Sequence, residues 1–308
     1  MLQARKYGVV GFGNSAVDDM VQLEGFPEPD SKQRITSIER QPGGQCTTAL
    51  VAASRLGQRC AYAGVLGENE LSEFVRSALS KEAVEFCGTV AYPEAQPYYS
   101  IVLLDTATGN RTILYSSTQV RGPVPEDISE DLIRDSAVLL VDQLGPEGTL
   151  HACEVARRCA TQIVADFERL DHECLRQAMR IVDHLILPMR AAREITGCSD
   201  PSQMVRELAR TGRICTAATD GPNGCWFMTC NCETVQHQPA FQVDVVDTTG
   251  CGDVFHGAFA AAIARNLTPE LAVRHAAGAA ALSATQRGGQ AGIPSLRAVE
   301  QFMADLKK

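Results

Sequence analysis

Between residues 136 and 219 the chain alternates short apolar runs with longer amphipathic stretches, and this alternation limits the fold more than any other feature. The runs 137–141, 162–165, 184–187 and 214–219 read as strands, and 147–160, 171–181, 191–196 and 201–211 as helices. Strands that return in the same direction through helices form a parallel sheet covered on both faces. In such sheets ligands bind outside the carboxyl ends of the strands. The expected class is therefore α/β: a doubly wound, mostly parallel sheet with helices on both faces. With 308 residues, 45% hydrophobic and 21% charged, the chain is expected to bury a sizeable core.

The stretch 88–118 interrupts that pattern. The runs 98–104 and 111–115 are β-like, and Asp105-Thr106-Ala107-Thr108-Gly109-Asn110 between them has turn chemistry. No helix attaches to this hairpin. Residues 17–41 are also extended and polar. Together, segments of about 15–41 and 88–118 are expected to form a small β lid within a single unit spanning 1–308.

Three glycine turns lie where such a sheet would present its ligand edge. In the first, Val246-Asp247-Thr248-Thr249-Gly250-Cys251-Gly252-Asp253 runs into a helical stripe of Val254, Phe255, Ala258, Phe259, Ala262 and Ile263. A glycine-rich turn opening a helix offers free N–H groups and the positive end of the dipole, and so binds anions. A carboxylate beside a phosphate repels it, so Asp253 needs a purpose. It is either a general base for an attacking hydroxyl or a helix-terminal acid that only favours the dipole. Cys251 reads as a small residue supplying an N–H, although a thiol at a helix start can also be activated.

In the second turn, Pro42-Gly43-Gly44-Gln45-Cys46-Thr47-Thr48 opens a helix through Leu56. Gln45 and Thr48, three apart, can face one ligand, or be ordinary polar first-turn residues. The third is Thr219-Asp220-Gly221-Pro222-Asn223-Gly224, which suits a plain hairpin and equally a backbone loop beside a nucleotide. Gly11-x-Gly13 lacks the third glycine and immediate helix of a dinucleotide fingerprint. Asp18, just beyond, is a solvated edge residue or an acceptor for a polyol. Asn69–Leu79 and the Ala/Gly-rich stretch from Thr268 to Ala284 read as helices, 60–66 as a strand, and 287–294 as a closing loop.

The net charge is −9 with no Lys/Arg cluster, which argues against nucleic acid as partner. The N-terminus shows no signal peptide and no apolar run is long enough to span a bilayer, so a cytoplasmic place and no membrane partner are expected. The twelve cysteines are irregularly spaced. Cys225, Cys230 and Cys232 lack zinc-finger spacing and read as buried or half-buried thiols.

Asp247-Thr-Thr-Gly-Cys-Gly-Asp253 resembles the C-terminal signature of the ribokinase-like (PfkB) carbohydrate kinases. Gly43-Gly44, the strand before Asp18, the Gly221/Gly224 loop and Gly288-Gly289 follow in that family's order over nearly the whole chain. Within it, 243–257 and 288–294 look closest to the ketohexokinase and sulfofructose kinase branch. The resemblance implies ATP-dependent phosphorylation of a hydroxyl of a small sugar or sugar derivative, with ATP and Mg²⁺. It implies Asp253 as base, N–H groups of Gly250, Cys251 and Gly252 as anion hole, and Asp18, Gly44, Gln45 and Thr48 on sugar hydroxyls. Thr219, Gly221 and Gly224 would line the ATP site. Asp247, Thr249, Ser283, Gln286, Gly288 and Gly292 match a monovalent-cation (K⁺) site, and the lid matches a homodimer interface.

The chain also departs from the family. Cys251 replaces an alanine, and Gln45 and Thr48 stand where asparagines are common. The Asn-x-x-Glu segment linked to Mg²⁺ is replaced by Pro188-Met189-Arg190-Ala191. Tyr115 and Leu144 stand where a sulfonate would need Asn and Arg, which does not support that substrate. Two other classes stay open: a nucleoside kinase stacking a base on Tyr98, Tyr99 and Tyr115, and a non-catalytic sugar or nucleotide sensor. The intact Asp253 argues against the sensor.

Overall fold

The computed structural model describes residues 5–108, 110–209 and 212–305. In chain order, the first half forms β1 (Tyr7–Phe12), β2 (Ala16–Leu23), β3 (Ser37–Gly43), α1 (Gln45–Arg55), β4 (Cys60–Tyr62), α2 (Glu70–Lys81), β5 (Val84–Phe86), β6 (Tyr98–Asp105) and β7 (Arg111–Ser116). The alternating middle supplies α3 (Glu130–Arg134), β8 (Ser136–Asp142), α4 (Pro146–Arg158), β9 (Gln162–Asp166), α5 (Glu173–Ile181), β10 (His184–Pro188), α6 (Met189–Thr196), α7 (Pro201–Ala209) and β11 (Cys215–Thr219). The chain then adds β12 (Cys225–Thr229), β13 (Gln236–Gln238), α8 (Cys251–Ala264), α9 (Pro269–Ser283) and α10 (Leu296–Asp305).

Nine strands form one sheet in the order β13-β12-β11-β10-β9-β8-β1-β4-β5. Pairing is parallel from β5 to β11, and antiparallel only at β12 and β13. The apolar runs are continuous because both faces are covered, and successive side chains enter different cores. Val138 and Leu140 join one apolar cluster with α1, α8 and α9, while Leu139 and Val141 join the other with α4, α5 and α7.

A second sheet has the order β3-β2-β6-β7 and is the lid. At its 105–108 turn, the Asp105 carboxylate accepts from the N–H groups of Gly25 and Ala107 and from the Thr108 hydroxyl. Gly109, assigned to the same turn from sequence, lies outside the described residues, as do 210–211 at the end of the helix predicted over 201–211. The lid leaves Ile38, Ile113, Leu114 and Tyr115 more than half exposed, at 52 to 71%.

Several expectations need correction. The strand predicted over 60–66 stops at Tyr62, after which pairing continues only as a bridge from Val65 to Thr89. In the second lid segment the strands begin only at Tyr98, so 88–97 is not lid sheet. That segment is held by the Val65–Thr89 and Gln96–Val120 bridges. Cys230 is exposed, while Cys225 is buried and Cys232 half-buried. Among the described residues no helix is long and apolar enough to cross a membrane.

Candidate active site

Everything at the ligand edge is organised by the turn that starts α8. Gly250 caps the helix at φ 72°, a left-handed conformation, and a Cβ there would come 2.7 Å from Gly289 O. Asp247 ties the turn: one oxygen accepts from the Thr249 N–H at 2.9 Å and hydroxyl at 2.7 Å, the other from the Gly288 N–H at 2.9 Å. Burial opposes the charge on Asp247, yet these donors hold its pKa below the usual value. From the lid, Arg111 donates to the Thr249 hydroxyl and lies 3.5 Å from Asp247. The lid thus carries a positive charge to the mouth of the turn.

The Cys251 N–H bonds to Thr248 O at 3.3 Å. Among the described residues no hydrogen bond uses the N–H groups of Gly250, Gly252 or Asp253, so the free donors differ by one from the trio expected. Gly252 is exposed, and a Cβ placed on it would meet nothing within 4 Å. The turn therefore opens on empty space with unpaired donors at the positive end of a 14-residue helix.

Cys251 does not behave as an activated thiol. Burial, then Asp247 and Asp253, push its pKa up to about 11. The helix-start effect that would lower it is outweighed. Iodoacetamide at pH 7.5 is expected to leave the Cys251 peptide largely unmodified in mass spectrometry. Rapid labelling there would contradict this.

Asp253 is half-buried in the first turn of α8, and no hydrogen bond among the described residues uses its carboxylate. Its pKa is pushed well above the ordinary carboxylate range by burial first and by Asp166 second, with His256 opposing and Glu168 and Asp142 adding. Asp142 and Asp166 end β8 and β9, at 1% and 5% exposure. Asp142 accepts from the N–H groups of Asn14 at 2.6 Å and Leu144 at 2.8 Å, yet burial still pushes it up to about 7. This gathering of acids was not anticipated. Its one signal in the sequence is an aspartate closing each of two consecutive apolar strands.

On the lid side, Asp18 pairs in register with Gln41 and Ser100, and a Cβ on Gly43 would come 2.4 Å from its carboxylate. Burial raises its pKa, and a hydrogen bond to Ser100 works against that. Gly44 has φ 99° and lies so close to Ser15 that a Cβ would come 2.6 Å from its Cα. Gln45 starts a polar chain: its N–H donates to Asn14 Oδ1 at 2.8 Å, and its Oε1 accepts from Asn14 at 2.9 Å and Gln143 at 2.6 Å. Its Nε2 is buried without a partner. Gln143 Oε1 in turn accepts from the Glu168 N–H at 3.1 Å. Thr48 does not share this role. It is 1% exposed and accepts from Gln290 at 3.1 Å, because the 288–292 loop covers that part of α1. The tyrosines do not form a stack: Tyr99 donates to Asp19 at 2.6 Å, and Tyr115 is 71% exposed.

At the far end, Asp220 to Gly224 is the hairpin between β11 and β12, closed by Asp220 N–H to Gly224 O at 2.8 Å. Gly221 (φ 48°) is exposed, Gly224 (φ 89°) packs against Gln238 O, and Thr219 donates weakly to Leu187 O at 3.5 Å. A depression of about 400 Å³ lies among the segment after β9, α5 and α6, its lining including Glu168, Arg169, Arg176, Ala191 and Glu194. Ala191, at the position of the Asn-x-x-Glu carboxylate, offers no ligand, while Glu194 one turn along α6 lines the same depression.

In the matched cation set, Ser283 is 2% exposed with an unpartnered hydroxyl, and a Cβ on Gly292 would come 2.3 Å from Ser283 O. Ala284 O accepts from the Val246 and Asp247 N–H groups, which seats this wall against the turn. Gln286 is exposed. Elsewhere, Glu147, His172 and Cys174 cluster closely enough for a metal. There the His172 ring is already spent: Nδ1 accepts the Cys174 N–H, and Nε2 lies 3.4 Å from Glu147.

A glycine turn with unpaired N–H groups, an unbonded acid beside it and a lid sheet beside a doubly wound one fit a small-molecule kinase. The model of the pfkB family carbohydrate kinases matches residues 12–296, and the chain belongs to that family. The ribokinase of Bacillus subtilis is 26% identical over 303 residues, covering 95% of this chain and 98% of the relative. A Salmonella typhi deoxyribokinase is 25% identical over 304 residues, covering 95% and 97%. The solved structure of Arabidopsis thaliana ribokinase complexed with ribose and ATP superposes with a TM-score of 0.84 at 20% identity, covering 98% and 99%. That last likeness speaks to the fold.

Proposed function

We propose that this chain transfers the γ-phosphoryl group of ATP to a hydroxyl of a small sugar or sugar derivative, with Asp253 as general base. The observation that carries this reading is the unbonded Asp253 carboxylate beside the free N–H groups of Gly250, Gly252 and Asp253 itself. Phosphoryl transfer asks mainly for positioning and for stabilisation of charge. The N–H groups and the dipole of α8 hold the charge on the transferred group. Asp253 takes the hydroxyl proton, and Asp18 with Gly44 and the buried Gln45 amide orient the sugar. Thr219, Gly221 and Gly224 flank the nucleotide.

Mg²⁺ enters with ATP as part of the substrate. The residues fit a monovalent cation, since the buried Ser283 hydroxyl is unpartnered. Asp247, Thr249, Ser283, Gly288 and Gly292 would hold it, and it would supply positive charge beneath the turn.

The test is a panel of ketoses, aldoses and nucleosides with Mg–ATP, read as ADP release, in K⁺ and in tetramethylammonium. Turnover with a sugar, faster in K⁺, is expected. Turnover only with nucleosides would move the assignment to a nucleoside kinase. ATP and sugar binding without turnover would leave a sensor. Equal rates in both salts would remove the cation.

A further inference from the structure

His256 stands in the second turn of α8, 3% exposed, and its ring nitrogens lie against two carbonyl oxygens and the Asp166 carboxyl group. Nδ1 lies 2.8 Å from Gly252 O and 3.4 Å from Asp166 Oδ2. Nε2 lies 3.1 Å from Ile186 O on β10. A neutral imidazole carries one N–H and one lone pair. Whichever nitrogen kept the lone pair would turn it toward a carbonyl oxygen in the buried interior, an unfavourable contact between two acceptors. Only a ring with both nitrogens protonated satisfies the two carbonyls together, and Asp166 is the carboxylate placed to balance the charge.

We propose that His256 is held as an imidazolium paired with Asp166, and that it is a positioning residue whose buried charge keeps Asp253 ionised among its acidic neighbours. This rests on the reading of Asp253 as base. Four carboxylates crowd one edge: Asp142 from β8, Asp166 from β9, Glu168 from the loop after β9, and Asp253 from α8. The buried Cys46 thiol on α1 also senses Asp142, Asp166 and Asp253. Burial is the largest influence and takes the proton affinity of His256 below its ordinary value, against the Gly252 and Ile186 carbonyls, Asp253 and Glu168, and burial likewise raises that of Asp166. The two ring contacts to carbonyl oxygens nonetheless favour the protonated ring. The proton of the Asp166–His256 pair has two acceptors waiting for it on the ring side, whereas on Asp166 it would leave one ring nitrogen facing an oxygen. A positive charge there lowers the proton affinity of Asp253, which makes it available to take a proton.

Two measurements decide this. In protein labelled with ¹⁵N-histidine, both ring nitrogens of His256, assigned by their loss in His256→Asn, are expected at imidazolium shifts at pH 7.5. One imidazolium-like and one lone-pair shift would overturn the proposal. The acid limb of kcat/KM for the best sugar is expected to move up by about one pH unit in His256→Asn and His256→Phe, with activity recovering at high pH. At the old midpoint this is a loss of severalfold. A uniform loss at every pH, or an unmoved limb in both folded variants, would also overturn it. If no substrate is found, the kinase reading fails while the NMR result still decides the state of the ring.

Discussion

Asp253→Asn is expected to lower kcat by about 10³-fold while changing the dissociation constant for ATP by less than about threefold, the bound of a lost surface-scale interaction. Asparagine keeps the size and planarity of the side chain, so the packing of α8 is undisturbed. It removes the unbonded carboxylate at the start of α8, the proton acceptor proposed above. It also removes a negative charge from beside the phosphates, so nucleotide binding has no reason to weaken. Isothermal titration with ATP and steady-state turnover separate the two effects. Turnover within tenfold of the wild type would take the base out of the mechanism. The pH profile follows with the same sign. Asp253 must be ionised to act, and burial with Asp166 raises its pKa. Activity should therefore fall on the acid side from a pH well above the ordinary carboxylate range, and that limb should be absent from the residual rate of the asparagine variant.

Gly257→Ala is expected to destabilise the protein by about 3 kcal/mol, the upper part of the usual range for overpacking a core. A Cβ at this position would come 2.0 Å from the Ala49 carbonyl oxygen and 2.7 Å from its carbon. The obstacle is the backbone of α1, so no side-chain rotation relieves it, and the two helices must separate. Both carry site residues in their first turns, so kcat should fall together with the melting temperature. Gly278→Ala is the matched comparison. Its Cβ would meet the Met303 sulfur at 3.1 Å, the end of a flexible side chain, and alanine is the better helix former by about 1 kcal/mol. Thermal denaturation of the pair checks the argument. Equal melting temperatures for the two variants would mean that α1 and α8 tolerate separation.

Much of the sheet was legible because buried parallel strands leave continuous apolar runs, and 137–141, 162–165 and 184–187 each fall inside an observed strand. Strands β5 and β13, at three residues each, are too short for any periodicity to register. The signature turn was legible because it is local. The Asn14–Gln45–Gln143 chain and the reach of Arg111 to Thr249 were not, since they join residues 31 to 138 positions apart with no local signal. For Thr48, helical spacing gave the face correctly, but not the loop 242 residues later that covers it. For Cys251, the competing effects could be listed from sequence, but burial decided between them.

Strand β1 lies between β4 and β8, and α8 packs on α1, β1, β8 and β9. During synthesis the N-terminal segment must therefore wait for residue 142 before its own hydrogen bonding is complete, and for residue 264 before its helical face is sealed. Contacts that close such long loops form late and as a group. The chemistry of this molecule is thus deferred to the last stage of assembly: a nascent chain released early would hold most of the architecture and none of the activity.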